Sequence, residues 1–320
     1  MTAPLLDVRD LRTEFHTRAG VLRAVNGVSF TLARGEILGL VGESGSGKSV
    51  TGFSLLGLVD PPGRIAGGSI SFEGQELVGL PPARLRELRG KRIAMIFQDP
   101  AATLNPVLTV GAQMALAVQA HGGGGDRAAR DLAARSLARV GIPDAVTRLD
   151  AYPHEFSGGM RQRVAIAIAL LHQPDLIVAD EPTTALDVSI QAQILAEMKA
   201  LARENGTALV WISHDLATVS SLADRVLVMY AGRIVESGPV AQVLRAPLHP
   251  YTRGLLDSLP AMGRPGEMLA QIPGSTPSLL SLPPGCPFAP RCPRADAACA
   301  QDPPVVGTEG RMALCHHPLT

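Results

Sequence analysis

Residues 42–49 read Gly42-Glu43-Ser44-Gly45-Ser46-Gly47-Lys48-Ser49, directly after the apolar run EILGLVG (36–42) and before a helix-compatible stretch. This is the pattern G-x-x-x-x-G-K-[ST] in the strand–loop–helix context it requires. Glycines let successive backbone N–H groups turn inward and cradle phosphate oxygens, with the positive end of the following helix behind them. Lys48 can reach the β- and γ-phosphates of a nucleotide, and the Ser49 hydroxyl suits Mg²⁺. Gly42, Ser44, Gly45, Ser46, Gly47, Lys48, Ser49 and Val50 are therefore the candidate nucleotide-binding set. A chance Gly/Ser-rich turn would need neither the Gly-Lys-Ser ending nor the strand before it.

Further out, the runs RIAMIF (92–97), LIVAD (176–180), ALVWIS (208–213) and VLVMY (226–230) read as more buried strands. Between them lies helical spacing. Ile190, Ile194, Met198 and Leu201 share a face, Ser189 is the expected N-cap, and Gly206 ends the segment. Such alternation predicts an α/β fold, a mostly parallel sheet covered by helices. LIVAD carries Asp180 to the sheet's edge, where it suits a Mg²⁺ shell, and places Glu181 as a general base for the attacking water. Taken alone, an apolar run ending in Asp-Glu reads equally well as a strand with a solvated acidic turn.

Residues 107–172 break the rhythm with Ala- and Arg-rich helical stretches, VGAQMALAVQA and AARDLAARSLARV, around the Gly122–Gly125 run. They predict a helical subdomain inserted in the α/β core. After about Leu244 proline becomes frequent and the strand pattern stops, which sets a boundary between residues 1–245 and an irregular extension at 246–320. The 320 residues carry 29 Lys plus Arg against 29 Asp plus Glu, so the basic footprint of a nucleic-acid binder is absent. Apolar residues make up 46%, too many for a disordered chain, yet only 3% are aromatic, so aliphatic side chains must fill the core. The longest aliphatic run, Val164 to Leu171, falls far short of the roughly 20 residues of a membrane span. The N-terminus has no apolar signal-peptide core, which points to the cytosol.

Cys286, Cys292, Cys299 and Cys315 all fall in the last 35 residues. In a reducing compartment that clustering favours metal over disulfides. The gaps of five, six and fifteen residues contain no Cys-x-x-Cys knuckle of a zinc ribbon and no short iron–sulfur spacing. The residues alone give a four-thiolate site with its metal open. Pro287 and Pro293 would stiffen the loops after two ligands, and His316 and His317 read as exposed tail residues.

One more motif discriminates. Phe156-Ser157-Gly158-Gly159-Met160-Arg161-Gln162-Arg163 opens the helix VAIAIALL, so Ser157, Gly158 and Gly159 make a second anion-binding helix start about 115 residues after the first. This resembles the signature of ATP-binding-cassette (ABC) ATPases, whose two nucleotide-binding domains sandwich ATP between the loop of one and the signature of the other. Phe156 and Met160 stand where that family usually has Leu and Gln. The resemblance covers about residues 5–245 and implies further roles. Gln98 is similar to the glutamine that senses Mg²⁺ and the attacking water, Ala185-Leu186-Asp187 to the loop crossing the dimer interface, and His214 to the switch histidine at the γ-phosphate. Phe15 takes the aromatic position that stacks on adenine. Singly, Gln98, Asp187 and His214 read as a polar strand end, an ordinary N-cap and an ordinary histidine; their joint order reverses that.

HPYTRGLLDSLP (249–260), IPG (272–274) and GCPFAPRCPRADAAC (285–299) resemble the C-terminal extension of the peptide/nickel branch of ABC importers, and within it the ATP-binding subunits for oligopeptides and dipeptides. The resemblance implies a P-loop NTPase of ABC type with an inserted helical subdomain and a small four-Cys extension. It implies ATP, Mg²⁺ and a [4Fe–4S] cluster, zinc being the alternative. It also implies a second, related ATPase chain, two membrane permeases, an extracytoplasmic substrate-binding protein acting indirectly, and a peripheral place on the cytoplasmic face of the inner membrane. Nickel or another small solute is the alternative cargo. A soluble ABC ATPase acting on DNA or ribosomes would bring a coiled-coil insertion, a second cassette or a basic surface, none of which is visible. A small-molecule kinase would need an acceptor pocket in place of the signature.

Overall fold

A computed structural model of the chain describes residues 3–122, 124–183, 186–259, 270–308 and 310–320. They form two compact units, Met1–Leu32 with Ile37–Val78 and Trp211–Thr320, and Ala33–Glu36 with Gly79–Val210.

The first unit opens with a sheet that the sequence did not announce. Strands β1 (Leu6–Thr17) and β2 (Gly20–Leu32) form an antiparallel hairpin, and β4 (Gly63–Phe72) and β5 (Gln75–Glu76) extend it in the order β2-β1-β4-β5. Leu6, Val8, Val28, Phe30, Leu32, Ile70 and Phe72 are buried on one side, the period-2 burial of a half-solvated sheet. Register shifts between Val8 and Leu11 and again at Thr13 interrupt that period, which hides it from a sequence scan. Next comes β3 (Ile37–Val41), buried at all five positions, then the loop at 42–47 and helix α1 (Lys48–Leu55). The Thr13 and Ser54 hydroxyls meet at 2.8 Å and tie β1 to α1.

The second unit runs through α2 (Pro82–Leu88), β6 (Ile93–Ile96), α3 (Pro100–Thr103), α4 (Val110–Gln119), α5 (Asp126–Arg139), α6 (Ala145–Arg148), α7 (Gly158–Leu170), β7 (Leu176–Asp180) and α8 (Val188–Asn205). Helix α4 buries Val110, Met114 and Val118, and α5 buries Ala129, Ala133 and Leu137. These i, i+4 stripes let the two helices pack, and the small alanines permit a close approach. Thr109 Oγ1 accepts the Ala112 N–H and caps α4. Of the two N-cap candidates in the sequence, Asp187 rather than Ser189 takes the N-cap position of helix α8. It ends as expected at Gly206, with φ +67. Strands β6 and β7 pair in parallel, Ile96 opposite Ala179.

Strand β8 (Ala208–Ser213) spans the division at 210/211, and the chain re-enters the first unit through α9 (Leu216–Leu222), β9 (Arg225–Tyr230), β10 (Arg233–Pro239), α10 (Val240–Arg245) and α11 (Pro250–Asp257). Strand β9 lies parallel to β3, with Val41 opposite Val228. The extension is not strandless, as its composition suggested. Strands β11 (Val305–Thr308) and β12 (Arg311–Leu314) form a short hairpin, and β12 pairs with β10 at Glu236–Ala313 and Ser237–Met312. Four-residue strands between turns carry too little periodicity to be read from sequence.

Candidate nucleotide site and cysteine extension

The glycines of the loop at 42–49 are set by the first unit's own backbone. Gly42 has φ +154, and a Cβ there would lie 2.1 Å from the Met229 carbonyl oxygen. Gly47, with φ +104, would place a Cβ 2.1 Å from the Ala24 carbonyl oxygen. Gly45 has open space around it but φ +76, a conformation that favours glycine. Gly47 is the N-cap of α1, so the first free N–H groups of that helix face back into the loop. Ser46 is buried, and its Oγ has no hydrogen-bond partner among the described residues, the kind of orphan that a bound oxyanion would satisfy. The Lys48 ammonium folds back onto the loop, donating to the Gly42 carbonyl at 2.8 Å and the Glu43 carbonyl at 2.9 Å. Ser49 and Val50 occupy the first turn of α1, both half-buried. Phe15 lies half-buried on β1, opposite Gly63, where a Cβ would come within 2.6 Å of its ring.

The second unit builds an acidic strand end. All five residues of β7 are buried, including Asp180. Glu181 follows with φ +47, so the chain turns sharply as it leaves the sheet. Gln98, just past β6, donates from Nε2 to Glu181 Oε2 at 3.1 Å. The β6–β7 register brings these two residues together across 83 positions. Asp187 is exposed at the N-cap position of α8 and makes no side-chain cap bond; Ala185 lies outside the described residues. In the first unit, exposed His214 sits at the end of β8. It directly precedes Asp215, whose carboxylate caps α9 by accepting from Ala217 N and Thr218 N.

The motif at 156–163 occupies the start of α7. Phe156 is buried, with the Arg148 guanidinium 5.8 Å from its ring centre, and Ser157 Oγ accepts the Met160 N–H at 3.3 Å. Gly158 is exposed and a Cβ there would meet nothing within 4 Å; at Gly159 it would meet Leu186 at 3.3 Å.

All four cysteines are free, three of them buried. Burial pushes the thiols of Cys286, Cys292 and Cys315 up, and mutual repulsion among the cysteines adds to it. Backbone N–H groups oppose this: those of Phe288 and Ala289 bond Cys286, that of Arg294 bonds Cys292, and that of His317 bonds Cys315. N–H groups aimed at sulfur favour the thiolate, but at these three cysteines burial outweighs them. His317 is no loose tail residue. Its Nε2 lies 2.9 Å from Asp296 Oδ1, and Asp296, Cys299 and His317 bring ligand atoms within 4.8 Å of one another. His316 Nε2 lies 3.1 Å from the Gln301 carbonyl.

With this geometry in place, comparison with known proteins is decisive. Residues 25–184 match the family model described as ABC transporter, and residues 235–299 match the one described as oligopeptide/dipeptide transporter, C-terminal region. The chain belongs to the ABC transporter family. It is 50% identical to the oligopeptide transport ATP-binding protein OppD of Escherichia coli, covering 98% of this chain and 94% of that protein. It is 46% identical to the dipeptide transport ATP-binding protein DppD of the same organism, over 98% and 97% of the two chains. Its fold matches a dimeric post-hydrolysis structure of the ATP-binding cassette MJ0796 bound to ADP and Pi. There the TM-score is 0.66 at 26% identity, covering 73% of this chain and 98% of that one.

This ABC chain is thus an ATP-binding subunit and an ATPase coupled to transport, with the α/β cassette fold. No helix among its described residues is long and apolar enough to cross a membrane. Sequence reasoning missed Glu43, which fills one of the four variable positions of the loop pattern. Its N–H donates to the Tyr251 hydroxyl of the extension at 2.8 Å. The only signal was the HPY motif at 249–251, which has no local chemistry of its own.

Proposed function

We propose that this chain is the energy-coupling ATPase of an importer of oligopeptides or dipeptides, docked on two membrane permeases at the cytoplasmic face of the membrane. The observation that carries this reading is that the likeness to oligopeptide and dipeptide relatives runs through the extension as well as the cassette. In this reading residues 1–245 are the nucleotide-binding domain, with helical residues 107–172 inserted, and 246–320 are the branch-specific extension.

The roles follow residue by residue. N–H groups of Gly42 and Ser44 to Gly47 cradle phosphates, Ser46 Oγ gains a partner, and Lys48 exchanges two carbonyls for phosphate oxygens. Phe15 stacks on adenine and Val50 lines the base of the loop. Ser49, Asp180 and Gln98 hold Mg²⁺, which supplies charge neutralisation at the phosphates. Glu181 takes a proton from water, kept in place by Gln98, with His214 contacting the γ-phosphate side. Ser157, Gly158 and Gly159 act on the ATP of a partner ATPase, a related but different chain, and Asp187 lies at that dimer contact. Cys286, Cys292, Cys299 and Cys315 would hold a [4Fe–4S] cluster with a structural role, zinc being the alternative; four free cysteines gathered in one short extension support a sulfur-bound metal.

Reconstitution with the permeases and the cognate substrate-binding protein tests the reading. Peptide-loaded binding protein should stimulate ATP turnover and peptide uptake. Stimulation by nickel-loaded but not peptide-loaded protein would overturn the cargo. Anaerobically purified chain should absorb broadly in the visible and contain iron and sulfide; colourless protein with one zinc would reject the cluster.

A further inference from the structure

Glu43 and Arg291 lie 248 residues apart in sequence, one in the phosphate-binding loop and one between Cys286 and Cys292, and they meet as a two-point ion pair. Arg291 Nη1 donates to Glu43 Oε2 at 2.6 Å and Nη2 to Oε1 at 3.0 Å. The guanidinium is only 6% exposed and is fixed from every side. Its Nε donates to the Pro273 carbonyl at 2.9 Å, Nη1 also reaches the Tyr230 hydroxyl at 3.3 Å, and its carbon lies 5.9 Å from the centre of that ring. Glu43 is gripped equally. Its N–H donates to Tyr251 Oη, Thr276 Oγ1 donates to its Oε2 at 3.3 Å, and its carbonyl accepts the Lys48 ammonium at 2.9 Å.

Adhesion alone does not call for this arrangement. Tyr230, Tyr251 and Phe288 already pack with ring centres 4.6 to 5.4 Å apart and supply apolar contact. A nearly dry arginine bonded to both oxygens of a carboxylate adds direction, because the planar fork fixes the carboxylate's position and orientation together. Through the Glu43 carbonyl the same residue sets where Lys48 rests. The line therefore runs from the cysteine loop, through Arg291 and Glu43, to the lysine of the phosphate-binding loop.

We propose that Arg291 is a positioning residue for nucleotide binding: its two-point bond to Glu43 lets the extension hold the phosphate-binding loop in its ATP-accepting shape. The proposal rests on reading residues 42–49 as the nucleotide loop. A double-mutant cycle on the full chain tests it, using Arg291→Gln, Glu43→Gln and both together. The probe is a non-hydrolysable ATP analogue with Mg²⁺, and thermal unfolding is followed beside it. Each single change should weaken nucleotide binding about tenfold, and the double should be no weaker than either single. KM for ATP should rise while kcat at saturation stays within about twofold. Arg291→Lys should recover only part of the affinity, since an ammonium cannot make the two-point bond. Unchanged affinity in Arg291→Gln, or additive losses in the double, would overturn the proposal. Should Arg291→Gln fail to fold, Arg291→Lys decides in its place: full affinity there sinks the positioning role. Lys48→Ala separates the two readings. Normal binding in Lys48→Ala means that the loop assignment fails; binding lost there but intact in Arg291→Gln means that only the positioning role fails.

Discussion

The chain has two glycine-rich helix starts, and its own fold needs only one of them. At the loop before α1, Gly42 and Gly47 are compelled by positive φ and by carbonyl oxygens 2.1 Å from where a Cβ would stand. Lys48 is bonded back to that loop, and Tyr251 and Arg291 of the extension hold Glu43. At the start of α7, Gly158 has ordinary helical neighbours, open space around it and, among the described residues, no such brace. Glycine in a helix is worth up to about 1 kcal/mol less than alanine. On the proposed reading, a glycine where the chain would accept a side chain leaves room for the nucleotide of a partner ATPase.

The hardest test of that contrast is to stop the chemistry and see whether two chains stay together. Glu181→Gln keeps the shape of the side chain that Gln98 bonds but removes its capacity to take a proton. Turnover should fall about 10²- to 10⁴-fold, the usual range for a lost general base. ATP should remain bound, and light scattering during gel filtration should find a dimer with whichever ATPase chain serves as partner. A variant that turns over normally, or binds ATP and never dimerises, removes the reason for treating Gly158 as an outward-facing site.

A matched pair of alanine substitutions sharpens the contrast directly. Gly47→Ala must put a methyl group against the Ala24 carbonyl at a left-handed position, so it should cost about 3 kcal/mol or more and lower the melting temperature. Gly158→Ala should leave the melting temperature unchanged or slightly higher. Even so, its ATPase activity should drop about tenfold or more, because the methyl occupies the surface offered to the partner's nucleotide. Full activity in Gly158→Ala together with unchanged stability would mean that the glycine is incidental.

The same contrast explains what the sequence could disclose. The buried strands β3, β6, β7, β8 and β9 were legible because each is a continuous apolar run, and the loop and signature because their chemistry is local. Helix α5 was legible from its alanine spacing. The β1–β2–β4 sheet was not, since its pattern is broken by bulges and β1 takes its second partner from a strand that begins only at Gly63. The bond of Glu43 to Arg291 lay beyond reach for the same reason. Neither residue is unusual where it stands, and only the folded chain brings them together. His317 read as a tail residue because nothing nearby in sequence predicts its approach to Asp296 and Cys299.

The remaining expected effect concerns the brace itself and is set by pH. His249 is buried at the start of α11, and burial lowers its pKa from 6.5 to about 4. Its Nδ1 accepts the Tyr251 N–H at 3.0 Å, a bond that only the neutral ring can make through that nitrogen. Around it stand the Phe288 ring, the buried carboxylate of Glu236, which takes the Leu248 and His249 N–H groups, and Arg311 at 3.8 Å from that carboxylate. Because the folded pKa lies below the unfolded one, the unfolded chain binds more protons between pH 6.5 and 4. Stability from this residue is thus complete above pH 6.5 and declines by about 3 kcal/mol as pH falls to 4. Thermal unfolding across that range should show the slope, and His249→Phe should flatten it, even though the substitution loses the cap. Since Tyr251 carries the hydroxyl that holds Glu43, acid should also lower amide-exchange protection at the loop, measured relative to the intrinsic rate at each pH, while protection at the start of α7 stays constant. An equal response at both helix starts would show that the extension does not brace the loop.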